Sequence, residues 1–131
     1  MVINELFSTL ETHFNTSTDI IPVIQILRGT DISVSDICSD NTITNTDMIF
    51  INDIFKVCII TWPTNVIVKH ILDNNCVFKI LKGEMNESIK SNHTSHILEH
   101  VFNTGYTGYM PIGVSYISTK YETVSIHIYS F

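Results

Sequence analysis

Apolar residues in the first fourteen positions recur at helical spacing. Val2, Ile3, Leu6, Leu10 and Phe14, with His13, fall near one face, with polar residues opposite. This predicts a helix over 2–14. A second helical stretch, IIPVIQILR at 20–28, follows Asp19 as a candidate cap. Pro22 sits in its first turn, where a missing N–H does no harm, and Gly29 stops it. Ser33 is a candidate cap for a short third turn, SVSDIC, and the polar run DNTITNT at 40–46 reads as a connection.

From residue 47 the pattern changes to short β-branched runs separated by turn signals. MIFI (48–51), Asn52-Asp53 and FKVCIITW (55–62) read as strand, tight turn and strand. NVIVKHIL (65–72), CVFKIL (76–81), EMNESIK (84–90) and HILEHVF (96–102) follow. Gly105 and Gly108 punctuate the next stretch, and GVSYIST (113–119) and TVSIHIYSF (123–131) close the chain. The fold expected is mainly β: a barrel over about 47–131, preceded by a helical segment over about 1–40, in a single domain. A length of 131 residues suits one domain with its own core.

Composition narrows the chemistry. Thirteen acidic side chains face seven basic ones, for a formal charge of −6, and the scattered lysines argue against nucleic-acid binding. No segment approaches the ~20 apolar residues of a membrane-spanning helix. The N-terminus carries Glu5 and Glu11 and lacks the basic stretch of a secretory leader. Cys38, Cys58 and Cys76 make an odd count without close pairing, which fits a reducing, intracellular (cytoplasmic) setting, or the inside of a viral particle. The sequons at Asn15, Asn86 and Asn92 are then expected to be unused. Alanine is absent and Arg28 is the only arginine, while isoleucine, asparagine and threonine abound. That bias fits an A/T-rich genome, such as those of certain large DNA viruses or intracellular parasites.

Residues 55–87, FKVCIITWPTNVIVKHILDNNCVFKILKGEMNE, resemble the core of the cysteine dioxygenase family, in the cupin superfamily. That core has a strand ending in Trp, an H-x-H motif, four residues, a Cys, six residues, a Gly and a strand ending in Glu. Trp62, Lys69-x-Ile71, Cys76, Gly83 and Glu87 stand at these places. SIHIYS at 125–130 is similar to the family's SLHLYS strand. The resemblance implies a cupin-type β-barrel, or jelly roll, and a further C-terminal segment in family members beyond the position of Phe131.

The same resemblance implies a lost iron centre. Family members bind one Fe(II) through three histidines, and the aligned positions here are Lys69, Ile71 and Ser115. Lysine is protonated at neutral pH, and isoleucine has no donor. The family's substrate-carboxylate arginine has no counterpart, since Arg28 lies in the helical segment. Cys76, His127 and Tyr129 match the family's cysteine and tyrosine, which can form a thioether, and the histidine that hydrogen-bonds the tyrosine. The structural alternatives for these three are a small core thiol and a hydrogen-bonded barrel strand.

The expectation is therefore a pseudoenzyme without iron or another cofactor. It would be retained as a structural or interaction component of a larger protein or ribonucleoprotein assembly, with other proteins as partners. The aromatic stretch Tyr106, Tyr109 and Met110 is a candidate contact surface, with local packing at a barrel rim as the alternative. One alternative is an active thiol dioxygenase with rearranged ligands, using His70, His127 and one of His93, His96 and His100. Strand alternation turns His70 away from the face of residues 69 and 71, so its use needs a register slip or bulge. On a helix, His93, His96 and His100, with Glu99 nearby, would share a zinc-binding face; on a strand only His96 and His100 do. A second alternative is a metal-free cupin that holds a small ligand, with Lys69 facing a carboxylate. Hydrolase elbows, phosphate loops and dinucleotide fingerprints are absent.

Overall fold

A computed structural model describes residues 2–32, 45–90 and 97–131. Two helices, α1 (Val2–Phe14) and α2 (Ile20–Arg28), precede nine strands. The strands are β1 (Asn45–Ile51), β2 (Phe55–Trp62), β3 (Ile67–Leu72), β4 (Asn75–Lys82), β5 (Glu84–Lys90), β6 (Ile97–Asn103), β7 (Thr107–Met110), β8 (Gly113–Ser118) and β9 (Thr123–Ser130). Both helices coincide with the periodicity read from the sequence. Asp19 caps α2 by accepting the Ile21 N–H at 3.2 Å. Gly29 closes α2 at a φ of −80°, so it ends the helix without using the left-handed region. Ser33, the SVSDIC turn and Cys38 lie outside the described residues. The sequence reading missed β7, because Gly108 within it and Gly105 just before it read as punctuation.

The strands form two antiparallel sheets. One has the order β1-β2-β9-β4-β7 and the other β3-β8-β5-β6. The chain crosses repeatedly from sheet to sheet, so neither sheet is built from consecutive strands alone. Their inner faces enclose Ile60, Trp62, Leu72, Cys76, Phe78, Ile80, Met85, Met110 and Ile117. The outer face of the five-stranded sheet carries Val57, Ile59, Val77, Val124, Ile126 and Ile128, which pack against Leu6, Leu10, Phe14, Val23 and Leu27 of the helices. This sheet is covered on both sides, which explains why β2 and β9 are buried almost without alternation.

Lys79, on β4, fastens the helices to the barrel. Its Nζ donates to the carbonyls of Leu27, Arg28 and Thr30 at 3.3, 3.3 and 2.7 Å, at the C-terminal end of α2 where carbonyls lack helical partners. Gly83 turns β4 into β5 at a φ of +86°. A Cβ there would lie 2.5 Å from the Glu122 carbonyl oxygen, so both the backbone angle and the space require glycine.

Candidate functional site

Strand β9 carries two chemistries on two faces. Val124, Ile126 and Ile128 turn toward the helices, while Thr123, Ser125, His127 and Tyr129 turn into the barrel. His127 pairs across β9 with Cys58 of β2 and Phe78 of β4, and Tyr129 with Lys56 and Cys76. Cys76 and Tyr129, the pair the resemblance links by a thioether, thus stand directly opposite each other. The Lys56 ammonium lies 5.1 Å from the centre of the Tyr129 ring.

A hydrogen-bonded chain runs through this interior. The Trp62 indole Nε1–H donates to Ser125 Oγ at 2.8 Å. Ser125 Oγ is 2.7 Å from His127 Nε2, and His127 Nδ1 is 3.4 Å from Cys76 Sγ. Indole is a donor only, so the serine oxygen accepts from it and its hydroxyl remains free to donate to the imidazole. Both ring nitrogens of His127 are thus engaged. Burial, and secondarily the nearby His70, push its pKa down to about 3. Burial also drives the Cys76 thiol well above its ordinary range, with smaller contributions from Cys58 and Glu87. Tyr129 is raised by burial and by the two cysteines. Imidazole, thiol and phenol are all held neutral, so Cys76 and His127 are not a thiolate–imidazolium pair and lack the activated nucleophile of a cysteine hydrolase.

The second sheet corrects the sequence reading of β3. Lys69 and Ile71 were expected at inward ligand positions; both face outward, and Ile71 is 58% exposed. His70 is the residue that turns in. Its ring lies 5.5 Å from that of Trp62 and 6.0 Å from that of His127, centre to centre. The phase is set by Leu72, which belongs to the buried cluster that includes Trp62 and Phe78 and by alternation brings His70 and Val68 in with it. The opposite phase would bury the Lys69 ammonium. No slip or bulge interrupts the β3–β8 register.

Ser115, the third expected position, does face inward, and it is the cross-strand partner of His70. On the next row of the same face stand Val68, Ile117, Glu87 and His100. Glu87 is 4% exposed, with Oε1 3.4 Å from His100 Nδ1. Its Oε2 and the His70 Nδ1 are buried without a hydrogen-bond partner. Burial lowers the His70 pKa, so this imidazole is neutral at pH 7. A cavity of about 550 Å³ opens beside them, with Glu87, Ile89, Met110, Ser115 and Tyr116 in its lining.

His100 lies in β6, a strand, so a helical zinc face built on it is excluded; His93 and His96 lie outside the described residues. Among the described residues no three His, Cys, Asp or Glu side chains converge on one point as metal ligands. The donors present do not make a three-histidine set, because His127 spends both nitrogens on Ser125 and Cys76 and Ser115 offers only a hydroxyl. Arg28 ends α2, outside the barrel and exposed. Sequence reasoning passed over Ser125 and the interior role of Glu87. The polar residues alternating with Val and Ile in TVSIHIYS were the available signal.

The two sheets, wound from a chain that crosses between them around a mainly apolar interior, define the architecture. It is a cupin double-stranded β-helix. A cupin superfamily protein of Desulfitobacterium hafniense superposes with a TM-score of 0.59 at 10% identity, covering 88% of this chain and 93% of that one. An RmlC-like cupin of Methanocaldococcus jannaschii gives 0.56 at 16%, covering 72% and 85%. The EutQ protein of Clostridium difficile gives 0.54 at 11%, covering 66% and 67%. No family model and no curated protein matches the sequence. Identities this low establish the cupin fold alone.

Proposed function

We propose that this cupin is a catalytically silent relative of the cysteine dioxygenases, retained as an interaction or structural component of a larger assembly. The observation that carries the reading is the inward-facing donor set. Where the related chemistry needs three histidines open to iron, the barrel offers His70, the Ser115 hydroxyl and a His127 already tied to its neighbours. The outer face of β3 and β8 supports the second half. Ile67, Ile71, Val114 and Tyr116 are exposed there, with Ile71 opposite Val114, an apolar strip broken by Lys69 alone on β3. Tyr106 and Tyr109 of the expected aromatic surface are also exposed, but Met110 is buried, and the Tyr106 ring stacks on Phe102 at 4.5 Å.

Anaerobic loading with Fe(II), followed by metal analysis and O2 uptake with cysteine, tests the reading. We expect iron far below one equivalent and no cysteine-dependent uptake. Stoichiometric iron with turnover overturns it and restores a dioxygenase with rearranged ligands.

A second reading is favoured by the cavity. Its volume of about 550 Å³ lies in the range of small-molecule sites, and its lining includes Glu87, one of whose carboxylate oxygens is buried without a hydrogen-bond partner among the described residues. Catalytic silence and ligand binding are compatible, and a metal-free small-ligand cupin satisfies both.

A further inference from the structure

Glu87 is a buried carboxylate with no lysine or arginine at salt-bridge distance among the described residues. Among these residues its neighbour at that distance is His100, at 3.4 Å, a half-exposed imidazole, and the other carboxylate oxygen has no hydrogen bond. Buried carboxylates are stable when hydrogen-bonded to a donor, and best when that donor is cationic. The same side chain lines the cavity, which is far larger than a bare ion needs. Ser115 lines it too, with the unpartnered His70 Nδ1 on the strand beside it. The remaining lining includes Ile89, Met110 and Ile112, an apolar wall for a carbon skeleton.

From this arrangement we propose that the cavity binds a small organic ammonium ion, its N–H groups received by the Glu87 carboxylate and its alkyl part packed on the apolar wall. The proposal rests on the ligand-binding reading above and adds the chemical class. Among the described residues no metal-ligating trio competes for the carboxylate, and the formal charge of −6 favours a cation over an anion. Lys69 also borders the cavity, but it is an exposed residue on the outward face of β3, so the buried carboxylate sets the preference inside.

The test is calorimetric titration of the full chain at pH 7, in the presence of a chelator, with three matched sets of probes: n-butylamine and putrescine, 1-butanol and 1,4-butanediol, butyrate and succinate. The amines are expected to bind at least tenfold more tightly than the alcohols and carboxylates, and Glu87→Gln to remove that preference at unchanged shape. The comparison among probes in the unaltered protein stands even if the variant does not fold. Carboxylates or alcohols binding as tightly as amines would overturn the ammonium assignment while leaving a ligand-binding cupin. Binding by none of the six would overturn both. Amine binding that survives Glu87→Gln would overturn the role of the carboxylate.

Discussion

The Cys76 thiol and the His127 imidazole lie 3.4 Å apart, both fully buried, and both are held in their neutral forms. A thiol without thiolate character is a poor nucleophile. Cys76 is therefore expected to resist iodoacetamide at pH 8 in the folded protein and to react once the protein is unfolded in urea. Peptide mass spectrometry separates it from Cys38 and Cys58. Rapid alkylation of Cys76 in the folded state would show that the thiol is exposed or ionised, and would reopen a nucleophilic role.

His127 also makes stability depend on pH. Its folded pKa of about 3 lies below the ordinary histidine value of about 6.5. Between these values the unfolded chain takes up a proton that the folded chain refuses. The contribution is fully present above about pH 6.5 and is lost as pH falls toward 3. His70, also lowered by burial, acts in the same direction. Urea unfolding is expected to show a loss of about 2–4 kcal/mol from this site between pH 7 and pH 3.5. In His127→Gln the slope over that window should be shallower than in the parent; equal slopes would mean that His127 titrates normally.

Ser125 is the shared partner of two buried rings, accepting from Trp62 and meeting His127 Nε2. Ser125→Ala removes one oxygen and leaves two buried nitrogens unpaired. The expected cost is about 2–4 kcal/mol, well beyond the loss of a surface hydroxyl. Trp62 is the only tryptophan, so its emission reports directly on the change. Ser125→Cys, which keeps a weak hydrogen-bonding group, should fall between. A cost below about 0.5 kcal/mol for the alanine variant would show that the hydrogen-bonded chain is not formed.

Lys79 joins the barrel to the helices through three carbonyls, and burial lowers its pKa against the opposing effect of Asp31. Lys79→Met keeps most of the apolar stem and removes the donors. We expect about 1–2 kcal/mol of destabilisation, concentrated in α2. Hydrogen exchange should accelerate over residues 20–30 and change little in β2 and β9, since those strands lose no bond. Uniform acceleration across the chain would contradict a local fastening role.

The elements and most of the barrel were legible in the chain. Helical spacing marked α1 and α2, and β-branched runs between turns marked the strands, because both patterns are local consequences of backbone geometry. The cupin resemblance placed Trp62, Cys76, Gly83, His127 and Tyr129 in one barrel through residues that sit at turns or alternate along a strand. Which face of β3 looks inward was settled by packing between distant parts of the chain. A period of two is the same read from either side, so alternation alone cannot choose between Lys69 with Ile71 and Val68 with His70. The choice falls to distant partners: Leu72 joins the buried cluster of Trp62 and Phe78, and His70 is drawn in beside Ser115. The cavity and the buried carboxylate of Glu87 were likewise invisible in the chain, since they arise beside the β5–β8 pairing and depend on what those strands leave unfilled.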